Sequence, residues 1–250
     1  MPEHVHPYEM RMTTLSPELR DMLHALTWYM TARKTALRAA LSFRTPLTTI
    51  MHTDMRVQYS AYFQNLLSAT ELMREQTLLP PKSFETELYA RFVFPGFQDG
   101  ESNYEYIKYL RNAIVHRGYD ITSAAHVAGD FLMLVAEPSF QNNAKNPAKI
   151  KTFHTFDKYL LNIITKCESV IGGVIFDTLN KAGVFQATID PQAAIAETRT
   201  AIQNSHVMPD WVKAMASATE LKPEWFVDMH SSMQGQLREA LEPLEISNPV

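Results

Sequence analysis

Only one cysteine, Cys167, stands in the 250 residues, so no internal disulfide can form. That suits a reducing compartment, and a cytoplasmic location is expected. Cys167 sits in an apolar helical pattern and reads as a small buried hydrophobe. No apolar run approaches the roughly 18 residues of a membrane span. The run from Val170 to Phe176 is far too short, so no membrane partner is expected. Met1-Pro2-Glu3-His4-Val5-His6 has no basic stretch followed by an apolar one, and no secretory signal is predicted. The chain also lacks His-Glu-x-x-His, Cys-x-x-Cys, a Gly-rich dinucleotide fingerprint and a Gly-x-Ser-x-Gly elbow. His4 and His6 are spaced for weak metal binding but lie on an expected loose arm. No metal and no cofactor are therefore expected.

Positive charge is also scarce. The net charge of −4 argues against a constitutive, tight nucleic-acid binder. The imbalance is local, because residues 184–250 hold nine acids and four bases while the rest holds 18 acids and 19 bases. Two segments are basic. Residues 31–60 carry Arg33, Lys34, Arg38, Arg44 and Arg56 against Asp54. Residues 141–166 carry Lys145, Lys149, Lys151, Lys158 and Lys166 against Asp157. Either can line a phosphate track or serve as an ordinary solvated face.

What is present is helical periodicity. Ser16-Pro17-Glu18 is a helix start, and Leu19, Leu23, Leu26, Met30 and Leu37 carry an apolar face to about Leu41. A second helix is predicted over about Leu47 to Leu78, with Ile50, Met51, Val57, Tyr62, Leu66, Leu67 and Leu72 inward, closed by Leu79-Pro80-Pro81. Ser83 starts a short helix through Phe94, closed by Pro95-Gly96. Another helix spans about Glu101 to Arg117. Asp130–Ala136 reads as a strand pairing with Lys149–Phe156 in a short β-hairpin. A long helix from about Thr155 to Lys181 holds Gly172-Gly173 at its middle, a pair that permits close packing or a bend. Asp190-Pro191, Pro209-Asp210 and Lys222-Pro223 start three shorter helices, with Trp211, Met215, Trp225, Phe226, Met229, Met233 and Leu237 on their apolar faces. The expected class is mainly α: a flexible arm over 1–15, a helical bundle over 16–183, and an acidic helical extension over 184–250 packed on or beside it.

Chemistry concentrates in Tyr109-Leu110-Arg111-Asn112-Ala113-Ile114-Val115-His116-Arg117-Gly118. Tyr106, Ile107, Leu110, Ala113 and Ile114 form the buried stripe of a helix, and Gly118 is a natural left-handed terminator. Asn112 and His116 are four apart on one side, so the amide can orient the imidazole. Arg111 is off that face, but its side chain is long. Histidine moves protons near neutral pH, arginine grips phosphate through paired hydrogen bonds, and a helix C-terminus favours positive charge. Such a trio can activate a ribose 2′-hydroxyl and steady the phosphate without metal. The spacing alone is weak, because Arg199 and His206 also satisfy it, without a comparable helix end. Tyr109 and Tyr119 flank the motif and can stack bases of single-stranded RNA; Arg117 can add a phosphate contact.

Leu110-Arg111-Asn112-Ala113-Ile114-Val115-His116 resembles the signature of the HEPN superfamily, in which a helix carries Arg, a polar residue (often Asn), a few variable positions and then His. The resemblance covers about a dozen residues, in a compatible helical context. It implies a HEPN-like bundle of long antiparallel helices and a homodimer pairing two motif helices across one cleft. It also implies a metal-independent endoribonuclease of a toxin–antitoxin or antiviral defence system, leaving 2′,3′-cyclic phosphate and 5′-hydroxyl ends. His116 would be the general acid/base, Arg111 the phosphate clamp and Asn112 the orienting residue. RNA is the implied substrate, and an antitoxin or regulatory protein a further partner. The alternative is a non-catalytic helical dimer that binds nucleotide, RNA or a partner protein, as other members of that superfamily do.

Overall fold

A computed structural model describes residues 14–79, 83–142 and 144–246. His4, His6, most of the expected arm and Pro80-Pro81 lie outside the described residues. Helix α1 spans Pro17–Ala40 and α2 spans Thr49–Glu75. Each begins on a side-chain cap: Ser16 Oγ accepts the Leu19 N–H at 3.2 Å and Thr48 Oγ1 accepts the Met51 N–H at 3.2 Å. The two helices pack along their lengths. Leu19, Leu23, Leu26, Met30 and Leu37 from α1 meet Tyr59, Tyr62, Phe63, Leu66 and Leu67 from α2 in the core.

The remaining helices are α3 (Ser83–Arg91), α4 (Gly100–Arg117), α5 (Leu160–Lys181), α6 (Pro191–Asn204), α7 (Asp210–Ala218) and α8 (Pro223–Leu241). Helix α5 buries Leu160, Ile163, Ile164, Cys167, Ile171, Val174 and Ile175, the predicted stripe. Burial pushes the Cys167 thiol well above its usual range, so the group is an inert hydrophobe. The chain is mainly α among the described residues, and no described helix is long and apolar enough to cross a membrane.

Three sequence expectations are corrected. Ile50 and Val57 face solvent, because the buried stripe of α2 runs through Met55, Tyr59, Tyr62 and Leu66, and Val57 falls off that line. The predicted single hairpin is two. Strand β1 (Ala125–Ala128) pairs with β2 (Phe131–Leu134), and β3 (Ser139–Gln141) pairs with β4 (Thr152–His154), both antiparallel. Gly129-Asp130 forms the two-residue turn of the first, with Gly129 at φ +62°, so the strand after Asp130 folds back on its immediate predecessor. Finally, Trp211, Met215, Trp225 and Met229 are exposed. Helix α7 buries no side chain, whereas Met233, Leu237, Ala240 and Leu241 in the second half of α8 join the core.

That second half of α8 is clamped by charge. Arg33, fully buried on α1, donates to the carbonyls of Ala240 and Glu242 at 3.3 and 3.2 Å and lies 3.4 Å from the Glu168 carboxylate of α5. Lys34 Nζ donates to the Glu239 carbonyl. Glu168 also accepts the Tyr62 hydroxyl at 2.9 Å and the Leu244 N–H at 2.8 Å. The last carbonyls of α8, orphaned within the helix, thus meet buried cations. Arg33 and Lys34 are therefore withdrawn from any phosphate track.

Gly172 marks where α5 and the end of α8 touch. A Cβ there would collide with the Leu241 carbonyl, whereas one at Gly173 would meet nothing within 4 Å. Gly172→Ala should cost about 1–3 kcal/mol by overpacking. Gly173→Ala should be neutral or add up to about 1 kcal/mol. Urea unfolding of both variants checks this, and equal effects would refute the close approach. Glu168→Gln leaves the Arg33 guanidinium buried without its counter-charge. A loss of about 3–5 kcal/mol is expected in the same assay.

Candidate functional site

Helix α4 is positioned from both ends. Asp99 Oδ1 accepts the Ser102 N–H at 2.9 Å, a bond that holds its carboxyl below the usual carboxylate range. Gly100 lies against the Tyr89 carbonyl of α3, where any Cβ would collide. Buried Asn103 donates from Nδ2 to the carbonyls of Phe92 and Gln98, each at 3.0 Å, locking the helix start to the end of α3. Along its length, the Tyr104 and Thr70 hydroxyls hydrogen-bond at 2.8 Å, and the Tyr106 hydroxyl donates to the Glu137 carbonyl at 2.6 Å. The helix ends as predicted: Gly118 is left-handed at φ 67° and the Tyr119 N–H reaches back to the Ala113 carbonyl at 3.1 Å. Arg56 of α2 then donates to the Gly118 carbonyl at 2.8 Å.

The motif residues divide between two faces. At about 100° per residue, His116 lies within about 20° of Tyr109 and about 40° of Asn112, but about 140° from Arg111. Tyr109 stacks on Phe153 of β4, with centroids 5.3 Å apart and planes at 12°. His116 and Arg117 are exposed beyond it, and Asn112 is half-buried. Among the described residues no hydrogen bond joins Asn112 to His116. Arg111 turns instead toward α2, where it pairs with Glu71. Its Nε is buried without a hydrogen-bond partner among the described residues.

Tyr119 sits past the helix end. Its hydroxyl donates to Glu137 Oε2 at 3.3 Å and its ring meets Phe140 of β3 edge-on at 6.1 Å. Burial, with the Glu137 carboxylate, pushes its phenol up to about 12, so it serves near neutral pH as a donor and not as a base. On the side of α4 facing α2, an open groove of about 450 Å³ runs past Arg56, Val57, Ser60, Gln64, Ile114 and Val115. Val57 and Val115 on its rim are exposed.

Two participants are invisible to sequence reasoning. Glu71 is 40 positions before Arg111, and only the α2–α4 packing joins them. Arg56 counted merely as one charge of a basic segment, yet it caps the motif helix. Among the described residues no three His, Cys, Asp or Glu side chains gather to hold a metal ion. The chain matches no family model, and no curated protein or solved structure is similar to it.

Asp99→Ala should destabilise α4 by about 0.5–2 kcal/mol at neutral pH. Because the folded carboxyl titrates below its unfolded value, the Asp99 contribution is present above the unfolded carboxyl range. It is lost as pH falls through the folded one. The difference between wild type and variant should therefore shrink on acidification, in melts taken from pH about 7 down to about 3.

Proposed function

We propose that this chain is a HEPN-type, metal-independent endoribonuclease that works as a homodimer in the cytoplasm, in a defence or toxin-type role. The observation that carries the reading is the exposed end of α4, where His116 and Arg117 stand at a helix C-terminus beside half-buried Asn112. An exposed imidazole there has access to a phosphodiester and can exchange protons with it.

In the proposed reaction, His116 takes the proton of a ribose 2′-hydroxyl as that oxygen attacks the adjacent phosphorus. The new P–O2′ bond replaces the P–O5′ bond, and the departing 5′-oxygen receives a proton. A 2′,3′-cyclic phosphate and a 5′-hydroxyl result. One helix end offers one proton-transfer group, so a second copy of the motif supplies the complementary acid. Arg111 neutralises charge on the phosphate, with Glu71 holding the guanidinium through one of its nitrogens. The α2–α4 groove beside Val57 and Val115 gives the motif helix an apolar surface for pairing with another copy.

A second reading has its own support. Arg111 is engaged by Glu71 and points away from His116, which suits a non-catalytic helical module that binds nucleotide, RNA or a partner protein. An antitoxin or regulatory protein fits either reading.

The deciding assay incubates purified protein with structured and unstructured RNAs in excess chelator, beside His116→Ala. Cleavage is expected to persist in chelator, to leave cyclic phosphate ends, and to fall by about 10²–10⁴-fold in the variant. Cleavage that His116→Ala leaves intact, or none by wild type across these RNAs, moves the assignment to the binding module.

A further inference from the structure

The β3–β4 hairpin carries charge of one sign. From Pro138 to Phe156 there is no Asp or Glu, yet Lys145, Lys149 and Lys151 all fall within it, in a protein whose net charge is −4. All three lysines are exposed, and none forms an ion pair with a described residue. Elsewhere many bases are already engaged: Arg33 and Lys34 cap α8, Arg91 meets Glu87 and Asp177, and Lys166 meets Asp157.

This hairpin is also built onto the motif helix. Phe140 and Phe153 face each other across the two strands. Phe153 stacks on Tyr109, while Phe140 packs against Tyr106 at 5.4 Å and Tyr119 at 6.1 Å. The hairpin therefore packs on α4 at Tyr106 and Tyr109 and reaches Tyr119 just past the helix end, and Tyr109 is within about 20° of His116 around the helix. Asn142 and Asn146 tie described residues of its turn together. Asn142 donates from Nδ2 to the Lys149 carbonyl at 3.1 Å and accepts the Lys151 N–H at Oδ1 at 3.0 Å. Asn146 Oδ1 accepts the Ala148 N–H at 3.0 Å at the start of the 3₁₀ turn Pro147–Lys149. Lys149 and Lys151 thus project from a short, hydrogen-bonded backbone scaffold, with Lys145 just before it.

We propose that Lys145, Lys149 and Lys151 form a binding arm for the phosphate backbone of single-stranded RNA, leading the strand to the His116 end of α4. The proposal rests on the ribonuclease reading for the strand's destination. Its own content is binding: three ammonium groups with no carboxylate beside them contact successive phosphates and release counterions. Lysine, a flexible point charge, gives grip without sequence readout, so the arm sets affinity and path but not base preference.

The test separates binding from cleavage by working in the His116→Ala background. Anisotropy of a labelled RNA of about 12 nucleotides is followed over a salt series, with and without Lys145→Ala, Lys149→Ala and Lys151→Ala together. A variant with Lys213→Ala and Lys222→Ala in the acidic C-terminal region controls for general charge loss. The arm predicts at least a tenfold weaker complex for the triple variant and a salt slope smaller by about 2, from three phosphate contacts at about 0.7 each. The control should stay within twofold. A triple variant with an unchanged slope and affinity, or a control that weakens equally, overturns the arm. No binding of RNA by the parent protein overturns it as well. If wild type cleaves RNA while the triple variant binds normally, the arm falls and the nuclease stands. If nothing cleaves but the triple variant loses its RNA, the nuclease falls and the arm stands.

Discussion

The buried Arg33–Glu168 pair is the interaction on which the architecture turns. It sits where α1, α2, α5 and the end of α8 converge: Tyr62 and Leu244 donate to Glu168, and one Arg33 nitrogen donates to the carbonyls of Ala240 and Glu242. A lone buried charge would be expensive, and a pair alone often merely breaks even against apolar packing. What it contributes is a specific geometry. The carbonyls at the end of α8 have one place to go, and Gly172 leaves room for Leu241 to arrive. The acidic C-terminal region is thereby fastened at its far end, while α7 and the first half of α8 keep their tryptophans and methionines in solvent.

With α1, α2 and α5 fixed, α4 has a defined bed, and the bed sorts the motif. The side toward α2 takes Arg111 into a pair with Glu71, and the side toward the β3–β4 hairpin keeps Asn112 and His116 beside Tyr109. A separation of five positions sets two α-helical side chains about 140° apart, so the arginine and histidine of one copy serve different surroundings. This is why a second copy matters to the proposed chemistry. It is also why the pairing of Arg111 with Glu71 bears equally on the alternative, non-catalytic reading.

Much of the helical frame was legible in the residues. Ser16-Pro17-Glu18 began α1, the Leu160–Ile175 stripe was the buried face of α5, and Gly118 ended the motif helix, because caps and periodicity act within a few residues. The strands were less legible. The apolar run after Asp130 announced a strand, but its partner was assigned too far downstream, although Gly129-Asp130 is a two-residue hairpin turn in its own right. Charge was the least legible property. Arg33, Lys34 and Arg56 counted as members of one basic stretch, yet two are buried caps for α8 and the third caps α4.

By itself the sequence determined which segments are helical, where most of them start and stop, that Cys167 is buried, and that one helix ends in an arginine, an asparagine and a histidine. These follow from hydrogen bonding and hydrophobic spacing over one or two turns. Only the tertiary structure decided that Arg111 meets Glu71, that Arg33 and Lys34 leave the surface, and that an acid-free hairpin packs on α4 at Tyr106 and Tyr109. Those outcomes depend on how elements far apart in the chain come into register, and no local periodicity encodes the partner that a long charged side chain will find.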